Sequence, residues 1–81
     1  MTEADVYEGL TQIFRELFAD ESITPQASMT AADVDAWDSF NNLNIIAAAE
    51  ERFGVKLRAR EIEKLDNVGS LVRLILAKAG T

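Results

Sequence analysis

The chain contains no cysteine and no histidine. Disulfides, Cys/His zinc sites, a thiol nucleophile and a Ser-His pair are therefore excluded. Long apolar runs are also missing. No stretch approaches the roughly 20 consecutive apolar residues that span a bilayer. Basic residues are scarce, with 8 Lys and Arg against 14 Asp and Glu, for a net charge of −6. Nucleic-acid binding needs clustered Lys and Arg to neutralise phosphates, so no nucleic-acid partner is expected. The start, Met1-Thr2-Glu3-Ala4-Asp5, is acidic and lacks the basic segment of a secretory signal, so the expected location is cytoplasmic.

What is present is a chain of 81 residues, 48% hydrophobic, the size of one domain covering 1–81. A chain this short buries about 60% of its unfolded surface, which leaves no room for a deep substrate cleft. With only carboxylates and lysines available, and no pair spaced as acid and base, the chain does not read as an enzyme. Its charge is uneven. Residues 1–40 hold nine acids and one base, Arg15, whereas residues 41–81 hold five acids and seven bases. An acidic surface of this kind suits basic protein partners.

Hydrophobic spacing predicts four helices. The first spans 3–18, with Thr2 as N-cap and an apolar face of Val6, Leu10, Ile13, Phe14 and Leu17. Gly9 weakens it by up to about 1 kcal/mol relative to Ala. Residues 19–37 show no helical period and hold the only proline, Pro25. A loop this long needs anchors, and Ile23, Met29, Val34 and Trp37 are the candidates. The second helix spans 39–53, with Asp38 as N-cap and Gly54 as its terminator. Asn42, Ile45, Ile46, Ala49 and Phe53 share one of its faces, and Phe40, Asn44, Ala47 and Glu51 follow the opposite one. A short third helix is expected at 59–65, with Ile62 and Leu65 inward. A fourth is expected at 68–79, capped by Asn67, with Val68, Leu71, Val72 and Ile75 inward. The fold class is all-α: a four-helix bundle with a long loop between helices 1 and 2 and a short third helix.

The run Trp37-Asp38-Ser39-Phe40-Asn41-Asn42-Leu43 opens the second helix, and Glu50-Glu51 followed by Phe53-Gly54-Val55 closes it. Taken alone, Asp-Ser is an ordinary helix opening, since both side chains cap free N–H groups. Together with the spacing around it, the segment resembles the acyl carrier proteins, and the resemblance covers the whole chain, most strongly from residue 33 to 57. The resemblance implies that Ser39 carries 4'-phosphopantetheine, attached from coenzyme A, and that the chain is a carrier. Asp38 then supports the site by helping to hold the metal ion that accompanies phosphoryl transfer. The implied partners are a phosphopantetheinyl transferase and acyl-loading ligase or synthase and transferase enzymes, met by a monomer. A serine in the first helical turn is expected to point away from the core, beside amides and a helix dipole that tolerate a phosphodiester anion. In relatives, partner contacts lie along the path of Phe40, Asn44, Ala47, Glu50 and Glu51. Phe40 then acts as an exposed anchor, or else folds back onto the loop.

The chain departs from the commonest fatty-acid-synthesis pattern. Phe40 replaces a usual Leu, Asn41 and Asn44 stand where acids are frequent, and Arg58-Ala59-Arg60 replaces a Pro and acids. Losing charge at a contact weakens steering and discrimination more than affinity. These departures imply a specialised carrier for a dedicated lipid, polyketide or related pathway, loaded with an acyl or aminoacyl group. The resemblance implies that an acyl chain can slip between the helices, and the small residues Ala47, Ala48 and Ala49 would widen such a space or let helices pack closely, although helix propensity alone also explains them. Two other readings stand beside this one. A helical adaptor docking through the Phe40 face would need no modification. A calcium loop starting at Asp33 with Asp35 and Asp38 fails, because its sixth position would be Asp38 rather than Gly and its twelfth Asn44 rather than Glu. No metal site is expected.

Overall fold

The computed structural model describes residues 2–34 and 37–80, apart from the side chains of Ala31 and Ser39. Its elements are α1 (Glu3–Leu17), a 3-10 turn (Ala31–Asp33), α2 (Ser39–Phe53), α3 (Ala59–Ile62) and α4 (Val68–Ala79). The bundle is all-helical among the described residues, with a long crossover after α1 and a short third helix.

The helices begin where the sequence supplies acceptors for their free N–H groups. Thr2 and Asp5 cap α1 reciprocally: the Asp5 amide donates to Thr2 Oγ1, and the Thr2 amide donates to Asp5 Oδ2 at 2.8 Å. Asp38 Oδ1 accepts from the Asn41 amide at 2.8 Å, and Asn67 Oδ1 accepts from the Ser70 amide at 2.9 Å. Gly54 ends α2 at φ 65°, in the left-handed region that favours a residue without Cβ. The core joins Val6, Leu10, Ile13 and Phe14 of α1 to Ile45, Ile46 and Ala49 of α2. Val68, Leu71, Val72 and Ile75 of α4 complete it with Leu57. These are the faces that the periodicity predicts, although Leu17, Phe53 and Ile62 sit at the margin, half-buried.

Gly9 is buried because α2 lies across it. A Cβ there would stand 2.5 Å from Cζ of Phe53 and 2.8 Å from Nε of Arg52. The residue that lowers helix propensity is the one that lets the end of α2 approach α1.

The crossover is tied down along its length. Nε of Arg15 donates to the Ile23 carbonyl at 2.9 Å. The first amides of α4 reach into the loop: Val68 N–H donates to the Met29 carbonyl and Gly69 N–H to the Ala27 carbonyl, both at 2.9 Å. Pro25 is buried, Val34 is half-buried, and the Trp37 ring stands edge-on to Phe14 at 5.2 Å. A long loop is tolerated here because its backbone groups and apolar side chains find partners.

Helix α3 is shorter than the predicted 59–65. After Ile62 the chain tightens into three-residue turns, Lys64 N–H to the Glu61 carbonyl and Leu65 N–H to the Ile62 carbonyl. Asn67 must be extended, at φ −154° and ψ 178°, to cap α4, which stops helical backbone from continuing through it. Leu65 still packs on the core.

Candidate functional site

Asp38 and Ser39 form the junction between the crossover and α2. Asp38 is extended (φ −98°, ψ −175°) and exposed, and its carboxylate caps the helix through the Asn41 amide. Its carbonyl accepts the Asn42 amide at 2.9 Å, the first intrahelical bond. Ser39 is therefore the first helical residue, at the positive end of the helix dipole. The expected outward direction of the Ser39 hydroxyl concerns a side chain outside the described residues, as does the place of Asp35 in the acidic run.

The residues on the outer face of α2 do not share one environment. Phe40 is 71% exposed and Leu43 is 63% exposed, the large apolar side chains that stand out in water among the described residues. Ala47 and Glu51 continue the exposed stripe. Asn44 is half-buried, and its Nδ2 donates to Oδ1 of Asn41 at 3.4 Å. Glu50 is also half-buried. Its Oε2 accepts from the Leu57 amide at 2.9 Å, so it fastens the end of α2 to the segment entering α3. The two glutamates thus differ: Glu51 faces solvent and Glu50 braces the backbone. Leu43 lies outside the path of Phe40, Asn44, Ala47 and Glu51. It lies three residues after Phe40 and four before Ala47, spacings that put all three on one side of a helix.

A cavity of about 460 Å³ opens beside the start of α2. Trp37, Asp38, Asn42 and Ile46 line it from one side, and Ile62, Leu65, Asp66, Asn67 and Leu71 from the other. The alanines of α2 are elsewhere: Ala49 is in the core, Ala48 packs against it and Ala47 is exposed. The space arises where Asn42 and Ile46 of α2 face the turn after α3, so it depends on tertiary convergence rather than on small residues. Trp37 is fixed at its edge, since its Nε1 donates to Oδ1 of Asn42 at 3.1 Å.

Among the described residues three carboxyls are held below the ordinary carboxylate range, all of them at the surface. Asp5 is lowered by hydrogen bonds from Thr2, Asp20 by those from Ser22, and Glu61 by the bond from Lys78 together with the Arg58 amide. None lies in the cavity or on the Phe40 stripe, so their role is capping and bracing. The Lys78–Glu61 ion pair, at 2.9 Å, ties α3 to α4. Among the described residues no group of three or more potential metal ligands comes together.

No family model matches the chain. It is 31% identical over 77 residues to the acyl carrier protein of Acidothermus cellulolyticus, covering 93% of this chain and 89% of that protein. It is 32% identical to the acyl carrier protein of Thermosynechococcus vestitus, covering 93% of each. The solution structure of holo acyl carrier protein from Geobacter metallireducens superposes with a TM-score of 0.86 at 39% identity, covering 93% of this chain and 86% of that one.

Proposed function

Because the chain belongs to the acyl carrier protein family, and so is a carrier rather than an enzyme, we propose that Ser39 carries 4'-phosphopantetheine and presents a thioester-bound acyl or aminoacyl group to partner enzymes. The observation that carries this reading is the placement of Ser39 as the first residue of α2, directly after the Asp38 cap. The surroundings fit the group. The first amides of α2 have no intrahelical acceptor and suit a phosphodiester anion. A cavity with a partly apolar lining opens beside them. When bound, the group supplies a thiol that this cysteine-free chain lacks.

Attachment requires the Ser39 hydroxyl to attack the β-phosphorus of coenzyme A. A P–O bond to Ser39 forms, the pyrophosphate bond breaks, 3',5'-ADP leaves, and the hydroxyl proton passes to a base. That base belongs to the transferase, since no histidine exists here. Asp38 fixes the position of the attacking residue through its cap, and its exposed carboxylate is available to a metal ion brought by the transferase.

Partner enzymes meet the stripe of Phe40, Leu43, Ala47 and Glu51. The amides Asn41 and Asn44 beside it leave the contact with little charge, which supports a carrier dedicated to one pathway rather than to bulk fatty acid synthesis. With this reading goes a cytoplasmic location. Among the described residues, no helix is long and apolar enough to cross a membrane.

The test is intact-mass measurement after incubation with coenzyme A and a broad-range phosphopantetheinyl transferase. One phosphopantetheine is gained, and Ser39→Ala gains none. A wild-type protein that stays unmodified overturns the reading and leaves an adaptor that docks through Phe40. Elongation by housekeeping fatty acid enzymes as fast as on their own carrier would remove the dedicated role.

A further inference from the structure

The cavity beside α2 changes character from floor to mouth. Ile46 and Leu71 are buried at its floor, Trp37 is half-buried on its wall, and Asp38 and Asp66 are exposed at its opening. Two carboxylates line it, and neither Lys nor Arg does. Two helix N-termini also meet there, since Asp38 caps α2 and Asn67 caps α4. Each N-terminus is equivalent to about half a positive charge. Together they offset roughly one carboxylate and leave the other, so the mouth carries a net negative charge over an apolar floor.

We propose that this cavity selects the cargo by the charge of its far end, accepting a short acyl group that ends in a protonated amine and rejecting one that ends in a carboxylate. The proposal rests on the carrier reading of Ser39. A short cargo lays its methylenes on Ile46 and Leu71 while its end group stays at the opening. An ammonium there pairs with Asp38 and Asp66 and lies near the Trp37 ring, whose face attracts cations. A carboxylate at the same place meets like charges and loses hydration without a cationic partner. An uncharged methyl end gains the floor contacts alone. The volume of about 460 Å³ falls in the lower half of the range for small-molecule pockets, which suits a short cargo.

The chain has one tryptophan, and it lines the cavity, so the Trp37 indole N–H resonance reports occupancy. The protein is loaded by a broad-range transferase with coenzyme A analogues carrying β-alanyl, butyryl or malonyl groups through a non-hydrolysable amide. Relative to the unacylated holo protein, β-alanyl shifts the resonance most, butyryl less and malonyl negligibly. Asp66→Asn, a change at an exposed side chain, narrows the gap between β-alanyl and malonyl several-fold. Equal shifts for all three cargoes, no shift for any, a larger shift for malonyl, or an unchanged gap in the Asp66→Asn protein overturns the selection while the carrier reading stands. Absence of any mass gain at Ser39 removes both.

Discussion

The indole N–H of Trp37 donates to Oδ1 of Asn42 at 3.1 Å, across the junction where the crossover becomes α2. This bond fixes the last loop residue with a described side chain before Asp38 onto the second turn of the helix that begins at Ser39. Asn42→Ala leaves a half-buried donor without its acceptor, so a loss of about 1 kcal/mol in urea unfolding is expected. Trp37 fluorescence should change in the native baseline as well, because the ring loses its tether. A variant as stable as wild type would show that water replaces Asn42 at no cost.

The adjacent glutamates should separate in two assays. Glu50→Ala breaks the bond to the Leu57 amide and is expected to lower stability by about 1 kcal/mol. Glu51→Ala, at an exposed position, should leave unfolding within about 0.5 kcal/mol of wild type. Its effect is expected instead on the association rate with a partner enzyme, and to fade as salt rises.

Phe40 and Leu43 expose apolar surface that the folded chain itself does not use. Replacing both by Ala should leave thermal unfolding nearly unchanged. Affinity for the transferase or loading enzyme, read by titration calorimetry, should fall by at least tenfold, since a docking anchor is worth about 2 kcal/mol. A double variant that binds as tightly as wild type would place the contact elsewhere.

Gly54 at φ 65° is the single described glycine with positive φ. Gly54→Ala keeps the space, because nothing lies within 4 Å of the added Cβ, yet forces a left-handed conformation on an L side chain. The expected cost is about 1 kcal/mol, measured by chemical unfolding. Gly9→Ala differs in cause, since there the cost comes from the Phe53 ring rather than from the backbone.

Acid should unfold the protein in part through its braces. Asp5, Asp20 and Glu61 are held below the usual carboxylate range in the folded chain by their hydrogen bonds to Thr2, Ser22 and Lys78. A depressed folded value means that their stabilisation is complete above the ordinary carboxylate range and is lost as pH falls through the folded values. The urea midpoint should therefore drop as pH falls below about 4. Replacing Asp5 by Asn should flatten that dependence slightly. A midpoint that rises on acidification would contradict the direction of all three shifts.

Much of the bundle was legible in the residues. The caps Thr2, Asp38 and Asn67 and the terminator Gly54 act through neighbours three or four positions away, within the reach of a local reading. The start of α2 at Ser39 follows directly from that chemistry. Leu43 lies off the path of Phe40, Asn44, Ala47 and Glu51 because that path takes its four-residue step first, to Asn44, whereas a three-residue step from Phe40 reaches Leu43. The Glu50–Leu57 bond spans seven residues across a turn and has no periodic signature. The cavity was least legible, as its walls come from four segments that meet only when the chain is folded. The alanines that suggested such a space pack or face solvent instead. The early end of α3 reflects a competition, in which the extended cap of α4 prevails over helical continuation through Leu65.

The two amides that open α4 hold the carbonyls of Ala27 and Met29, some forty positions upstream. A nascent chain halted before residue 68 would lack those anchors, and its central crossover would have nothing to hang from. Assembly of the segment leading to Ser39 therefore waits until α4 has been made and has left the ribosome, so any partner that reads the folded surface around the start of α2 meets it only after that point.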